Sequence, residues 1–260
     1  MKHAFAALLL WLLSVPTLFA QQEETITHNT IGWYNYFGTF RITPKIGIHT
    51  EYQWRRSQLV THPQQSLLRT GINYNLKPSL KLRIGYAWIE TSAYGEIPVN
   101  ALGRDFTEHR TFQMVQATHR SGKGEFLHRA MLEQRFTGRY SSPEIETEDA
   151  FSFSNRLRYM FRFQLPLKGE RITSHTPYLA TFTELFASFG RNVSKDGIDQ
   201  LRTSLLAGYQ FSSTARLEAG YLFQGFQYSR QINGNDALQV NHGVIINCVF
   251  NVDLSSGAIE

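Results

Sequence analysis

Cysteine, long apolar runs and clustered polar ligands are nearly absent from this 260-residue chain, and each absence removes a class. The single cysteine, Cys248, cannot close an internal disulfide, so the fold needs no oxidative stapling. Inside a strand-like run it reads as a small apolar filler. Beyond residue 20 no apolar stretch reaches the roughly 18 residues that a membrane-spanning helix takes. The nine histidines fall singly, with no His-x-His and no carboxylate cluster at metal-ligand spacing. No glycine-rich phosphate loop and no acidic calcium-binding run is present, so neither a metal nor any other cofactor is expected. Lysine and arginine number 26 against 21 acidic residues, giving a net charge of +5. These basic residues are scattered singly along the chain instead of forming patches, which argues against a nucleic-acid partner.

What is present begins with "MKHAFAALLLWLLSVPTLFA", residues 1–20: a charge at Lys2, an apolar run from Ala4 to Val15, a breaker at Pro16 and a small residue at Ala20. This pattern predicts a secretory signal peptide cleaved before Gln21, leaving 21–260 as a single domain. No cysteine follows the cut, which speaks against a lipid-anchored lipoprotein. Export would then lead to the periplasm, the outer membrane or the medium.

The rest of the chain alternates with a period of two, the signature of β-strands, whose successive side chains point to opposite faces. In 151–167, Phe151, Phe153, Leu157, Tyr159, Phe161, Phe163 and Leu165 oppose Ser152, Ser154, Arg156, Arg158, Arg162 and Gln164. In 45–56, Ile46, Ile48, Tyr52 and Trp54 oppose Lys45, His49, Glu51, Gln53 and Arg55. Similar runs cover 66–76, with Arg69 on the polar face, 80–90, with Arg83, and 200–211, with Arg202. They recur in 216–224, with Arg216 and Glu218, and in 240–254. The run 125–136 sets Arg129, Glu133 and Arg135 against Phe126, Ala130, Leu132 and Phe136. Three segments, 33–42, 106–119 and 178–189, mix polar and apolar residues on both faces.

Short connections at 43–45, 75–79, 120–125 and 212–215 alternate with longer polar stretches at 57–64, 92–105, 138–150, 190–199 and 229–238. Short turns at one end and long loops at the other are the pattern of outer-membrane barrels. The connection 167–176, "LKGERITSHT", breaks the rule by being long where a short turn is due. Strands counted from Trp33 number eleven, whereas closed bacterial barrels have an even number and keep both termini in the periplasm. A further, upward strand is therefore expected in "EETITHNTI", residues 23–31, with ten strands or a lumenal N-terminal segment as the alternatives.

Which face is inside is a separate question. A soluble sandwich would bury the aromatics and solvate the arginines, but its strands are typically about five or six residues long. The alternating runs here are longer, near the length a tilted strand needs to cross a bilayer, and Trp54, Tyr74 and Trp88 sit toward strand ends as interfacial aromatics do. The expectation is an all-β, antiparallel up-and-down transmembrane β-barrel of about twelve strands. Arginines facing inward would be costly unless paired or hydrated. Glu51, Glu133 and Glu218 share their predicted face, with Glu108 and Glu184 as further partners, so a net-positive lumenal charge network is expected.

The order of Trp33, "EYQWR" at 51–55, "GYAWI" at 85–89, "EHRTFQ" at 108–113, "LEQRF" at 132–136, "NRLRYMFR" at 155–162, "TEL" at 183–185, "LRTSLLAGYQF" at 201–211 and "RLEAGYLFQ" at 216–224 resembles the domain of unknown function 2490 family. The resemblance runs over nearly all of the chain after residue 20 and implies an exported β-barrel without implying an activity.

Three functions remain open. The first is a non-enzymatic barrel in the outer membrane of a Gram-negative bacterium, structural or a narrow anion-preferring pore. Its expected partners are outer-membrane lipid and the barrel-assembly machinery. The second is a lipid-modifying barrel enzyme, for which His119 and Ser121 in "HRSGKG" and the asparagine of "SNRLRY", Asn155, offer a faint nucleophile constellation. The third is a soluble periplasmic barrel binding an apolar ligand.

Overall fold

The computed structural model describes residues 25–193 and 197–255; the expected signal peptide and all but the first residue of the closing "SSGAIE" lie outside them. Among the described residues eleven strands form one closed barrel: β1 Thr25–Arg41, β2 Ile46–Ser57, β3 His62–Lys77, β4 Leu80–Thr91, β5 Phe106–Ser121, β6 Gly124–Arg139, β7 Ala150–Pro166, β8 Thr176–Phe189, β9 Gly197–Gln210, β10 Ala215–Gln227 and β11 Ala237–Asp253. Each pairs antiparallel with the next along the chain, and the ring closes by parallel pairing of β1 with β11. Closure leaves no strand edge exposed, which removes the usual template for aggregation.

The strand count corrects the expectation of twelve or ten. Residues Thr25–Ile31 are not a separate strand but run without a turn into the segment beginning at Trp33, giving one β1 of 17 residues. The reason lies on β11, which offers a ladder partner to every residue from Thr25, opposite Ala237, to Arg41, opposite Asp253. A turn between Ile31 and Trp33 would leave those backbone groups unpaired, and buried unpaired groups are costly. With an odd count the antiparallel alternation cannot close on itself, so the seam is parallel. Thr25 and Asp253 consequently lie at opposite ends of the barrel, where both termini were expected at one end.

The two ends otherwise differ as the connections predict, with one exception. Residues 42–45, 78–79, 122–123, 167–175 and 211–214 connect strands at the turn end, and 92–105, 140–149, 190–196 and 228–236 at the loop end. The expected long stretch at 57–64 shrinks to 58–61, tightened by positive φ at Gln58 and Leu59.

The distribution of polarity is inverted relative to a water-soluble fold. Ile48, Trp54, Ile72, Ile84, Trp88, Leu157, Tyr159, Leu205 and Tyr221 are exposed on the outer face, Ile84 to 61%. Glu51, Arg69, Glu108, Glu133, Arg158, Glu184 and Glu218 are buried inside, Glu133 to 0%. Two inward glycines make space for aromatic rings from neighbouring strands. A Cβ at Gly208 would lie 2.3 Å from the Tyr178 ring, and one at Gly85 would lie 2.7 Å from the Phe112 ring.

Candidate functional site: a charged interior under interlocked loops

The inward faces of β2 to β8 carry arginines gathered on carboxylate hubs. Glu133 on β6 accepts from Arg156 Nε and Nη2 at 2.9 and 2.6 Å and from Arg158 Nη1 at 2.7 Å, with Arg69 and Arg110 at 3.6 and 3.8 Å. Glu108 on β5 takes both Arg110 and Arg135, each through Nε and Nη2 at 2.5–3.1 Å. Glu184 on β8 accepts from Arg129 Nη2 at 2.8 Å and Arg158 Nη2 at 2.8 Å. Glu51 accepts from Arg69 Nη1 at 2.8 and 2.9 Å and lies 3.2 Å from His49 Nε2. Glu218 on β10 accepts from Arg162, from Tyr178 Oη at 2.7 Å and from Asn247 Nδ2 at 3.2 Å, with Arg216 Nε at 3.6 Å. Paired arginine forks are the geometry in which buried charges hold their strongest hydrogen bonds.

Arginines outnumber these acids, and four lack a carboxylate within hydrogen-bonding distance: Arg216, 3.6 Å from Glu218, and Arg83, Arg55 and Arg202. Arg83 Nε donates to Asn73 Oδ1 at 2.6 Å. Arg55 donates through Nε to Gln53 Oε1 at 2.9 Å and through Nη1 to Gln65 Oε1 at 2.5 Å. Arg202 stands 3.8 Å from Glu184, and its nearest acceptor is Gln200, whose amide, turned with its carbonyl toward the guanidinium, accepts from Nε and Nη2 at 2.8 Å each. Arg55 and Arg202 both lie over the indole of Trp33, at 3.9 and 4.8 Å from the ring centroid. Trp33 is itself fixed by donating Nε1 to Gln64 Oε1 at 2.8 Å. A cavity of ≈ 220 Å³ at the loop end is bordered by Trp33, Arg55, Arg110, Arg135, Arg156 and Arg202, among others.

The roof of that cavity is built from loops. Tyr94, in the 92–105 connection, is buried inside the mouth and lines the cavity with Tyr228 from the 228–236 connection. Tyr228 Oη donates to the Ile97 carbonyl at 2.6 Å and also bonds Gln239. Arg230 donates to the Val99 and Pro98 carbonyls, both at 2.6 Å. Burial pushes the Tyr228 phenol up to about 12, so it remains a donor at ordinary pH. The 140–149 connection is tied in as well: Arg104 Nη2 donates to the Pro143 carbonyl at 2.7 Å and Tyr140 Oη to the Asp105 carbonyl at 2.6 Å.

The opposite wall adds an apolar cluster between its charged residues Glu184, Arg202 and Glu218. Ile31, Trp33, Tyr178, Ala180, Leu206, Leu222 and Ile245, from β1, β8, β9, β10 and β11, form one buried cluster inside the barrel. Ile172 packs against it from the 167–175 connection. That gives the over-long turn a physical role: it folds an apolar side chain onto the barrel filling. Arg120 Nη2 donating to the Glu170 carbonyl at 2.6 Å, and Lys123 Nζ at 2.8 Å from Glu170 Oε1, tether it to the neighbouring β5–β6 turn.

The predicted inward residues Glu51, Arg55, Arg69, Arg83, Glu133, Arg156, Arg158, Arg162, Arg202 and Glu218 are buried in this interior, and Arg129, Arg135 and Arg216 reach it less deeply. The nucleophile constellation is not assembled. The His119 ring stacks on Phe126 at 4.8 Å and His128 at 5.3 Å, and no hydrogen bond joins it to Ser121 among the described residues. Asn155, near the loop-end start of β7, is at the other end of the barrel from Ser121, the last residue of β5. Arg110 belongs to the opposite-charge pair that "EHR" at 108–110 displays, and sequence reasoning missed Tyr94, Tyr228 and Ile172. Ile172 was signalled as the lone apolar residue in the middle of a polar turn. Nothing local marked the two tyrosines.

Residues 30–235 match the family described as "Protein of unknown function (DUF2490)". Among solved structures, that of the NanC porin in a rhombohedral crystal form overlays with a TM-score of 0.47 at 12% identity, covering 85% of this chain and 98% of that one. No curated protein matches the chain.

Proposed function

We propose that this chain, which belongs to the family of unknown function DUF2490, is a non-enzymatic β-barrel of the outer membrane of a Gram-negative bacterium, with a packed interior in place of an open channel. The observation that carries the reading is the inverted polarity: Ile84, Trp88, Leu157 and Leu205 face outward while Glu51, Glu108, Glu133 and Glu184 are buried inside. An exterior of that kind suits a hydrocarbon solvent and would be an aggregation liability in water. Strands of 12 to 17 residues exceed the roughly 9–11 needed to cross the hydrocarbon core at a tilt. The export pattern at residues 1–20 directs the assignment to the outer membrane, with its lipid and its barrel-assembly machinery as partners.

The packed interior is supported by the ion-pair network on one wall, the apolar cluster on the other and the connections folded over both. A soluble barrel for an apolar ligand is disfavoured, because seven arginines border the cavity. A narrow anion-preferring pore is the second reading, favoured by Arg55, Arg83 and Arg202 having neutral amides as their nearest acceptors.

Two measurements test the proposal. Compact, heat-modifiable migration of the folded protein in detergent gels is expected, and its absence would contradict membrane placement. In planar bilayers the inserted protein is expected to be electrically silent; stable anion-selective steps would replace the packed reading with the pore.

A further inference from the structure

The cavity at the loop end is bordered by seven arginines against two carboxylates, Glu108 and Asp199, so its lining is net positive, with Glu184 3.8 Å from Arg202 behind it. Arg110 and Arg135 share Glu108, and Arg156 and Arg158 share Glu133. Arg55 and Arg202 have amide oxygens as their close acceptors. Both are buried, at 7% and 8% exposure. A desolvated guanidinium is costly unless an anion balances it, and the space bordered by these two side chains is where one would fit. At ~30 Å³ per water, a cavity of ≈ 220 Å³ holds about seven waters, or an anion with a comparable number of heavy atoms.

We propose that this cavity binds a small oxyanion, a phosphate or a carboxylate, clamped between Arg55 and Arg202 on the Trp33 shelf. Guanidinium forks match both chemistries in a bidentate way. The indole holds the two cations in place by cation–π contact, so their positions are set before the anion arrives. Tyr94 and Tyr228 cover part of the site and reduce its contact with bulk water, which strengthens the attraction. The inference stands on the cavity alone and does not depend on where the barrel resides.

The test is calorimetric titration of the refolded full-length chain in detergent with inorganic phosphate and, separately, with succinate, both in a chloride-free buffer, followed by a chloride titration. The expected result is saturable binding of at least one oxyanion. In the R55Q/R202Q variant affinity should fall about ten- to a hundredfold, the loss of one or two charge-assisted hydrogen bonds. The R83Q variant removes an interior charge away from the cavity and should leave affinity within about twofold. Phosphate binding without succinate assigns the phosphoryl chemistry, and the reverse assigns the carboxylate. If R55Q/R202Q fails to show heat-modifiable migration, the single variants R55Q and R202Q take its place with the same expected direction. No binding by the wild-type chain, binding that chloride reproduces at equal affinity, or equal weakening in R83Q would overturn the proposal.

Discussion

The two walls of the barrel interior solve the same filling problem with opposite chemistry. From β2 to β7 the inward side chains are mainly arginine, glutamate and amides joined by hydrogen bonds. From β8 through β11 to β1 they include Ala180, Leu206, Leu222, Ile245 and Ile31 in direct contact. Apolar packing of this sort contributes by removing surface from water, about 1.5–3 kcal/mol per large side chain. Buried ion pairs contribute much less net stability, because their mutual attraction is largely offset by desolvation. The charged wall is therefore expected to set position and register while the apolar wall supplies more of the cohesion. The asymmetry of its failure follows: a charged wall tolerates the pair but not the loss of one partner.

Glu133→Gln should show this most strongly. It removes the negative charge and one of the two oxygens that accept from Arg156 and Arg158, and with the charge the counter-charge for Arg69 and Arg110. Breaking a buried pair on one side costs about 3–5 kcal/mol. The expected outcome is a large fall in the temperature at which the compact gel form is lost. Arg83→Gln, at an arginine whose acceptor is already neutral, should shift the same temperature far less. Equal shifts would mean that the hub contributes no more than any buried guanidinium.

Leu206→Ala probes the apolar wall. Leu206 is 1% exposed and sits among Ala180, Leu222 and Tyr178. Truncating such a leucine costs about 2–5 kcal/mol through lost transfer energy and the cavity left behind. Leu205, its neighbour on the outer face, is 51% exposed. Leu205→Ala should therefore matter little in detergent, and a larger effect there than at Leu206 would invert the assignment of faces.

The same contrast explains what could be read from the sequence. Strands with inward charge and outward apolar residues, such as 151–165 and 46–54, alternate plainly, and their facing follows from the pattern. The three segments with mixed faces are strands that carry apolar residues inward: Ile31 and Trp33 on β1, Phe112 and Met114 on β5, Tyr178, Ala180 and Phe186 on β8. Their outer faces compensate with polar groups, as where Gln113 and Gln134 bond each other at 3.1 Å on the outside. Leu206, Leu222 and Ile245 were hidden differently, as single apolar residues on otherwise polar faces. The extra length of β1 was illegible because nothing within 25–31 alternates strongly; its partner β11 imposes the extension. The cavity roof was illegible as well, since it depends on Tyr94 and Tyr228 meeting from connections that are far apart in the chain.

The smallest effect is expected where the two walls meet the loops. Tyr228 Oη donates to the Ile97 carbonyl at 2.6 Å and bonds Gln239, linking the 92–105 connection to β11. Tyr228→Phe keeps the ring and removes both bonds, a loss of about 1 kcal/mol for a hydrogen bond. The barrel strands do not depend on this bond, so global unfolding should barely move. The 92–105 connection should instead open more often, read as faster hydrogen exchange or proteolytic nicking confined to it. If exchange accelerates equally in β9 and β10, the roof is part of the barrel's cooperative unit, and the distinction between a rigid filling and a separable cover fails.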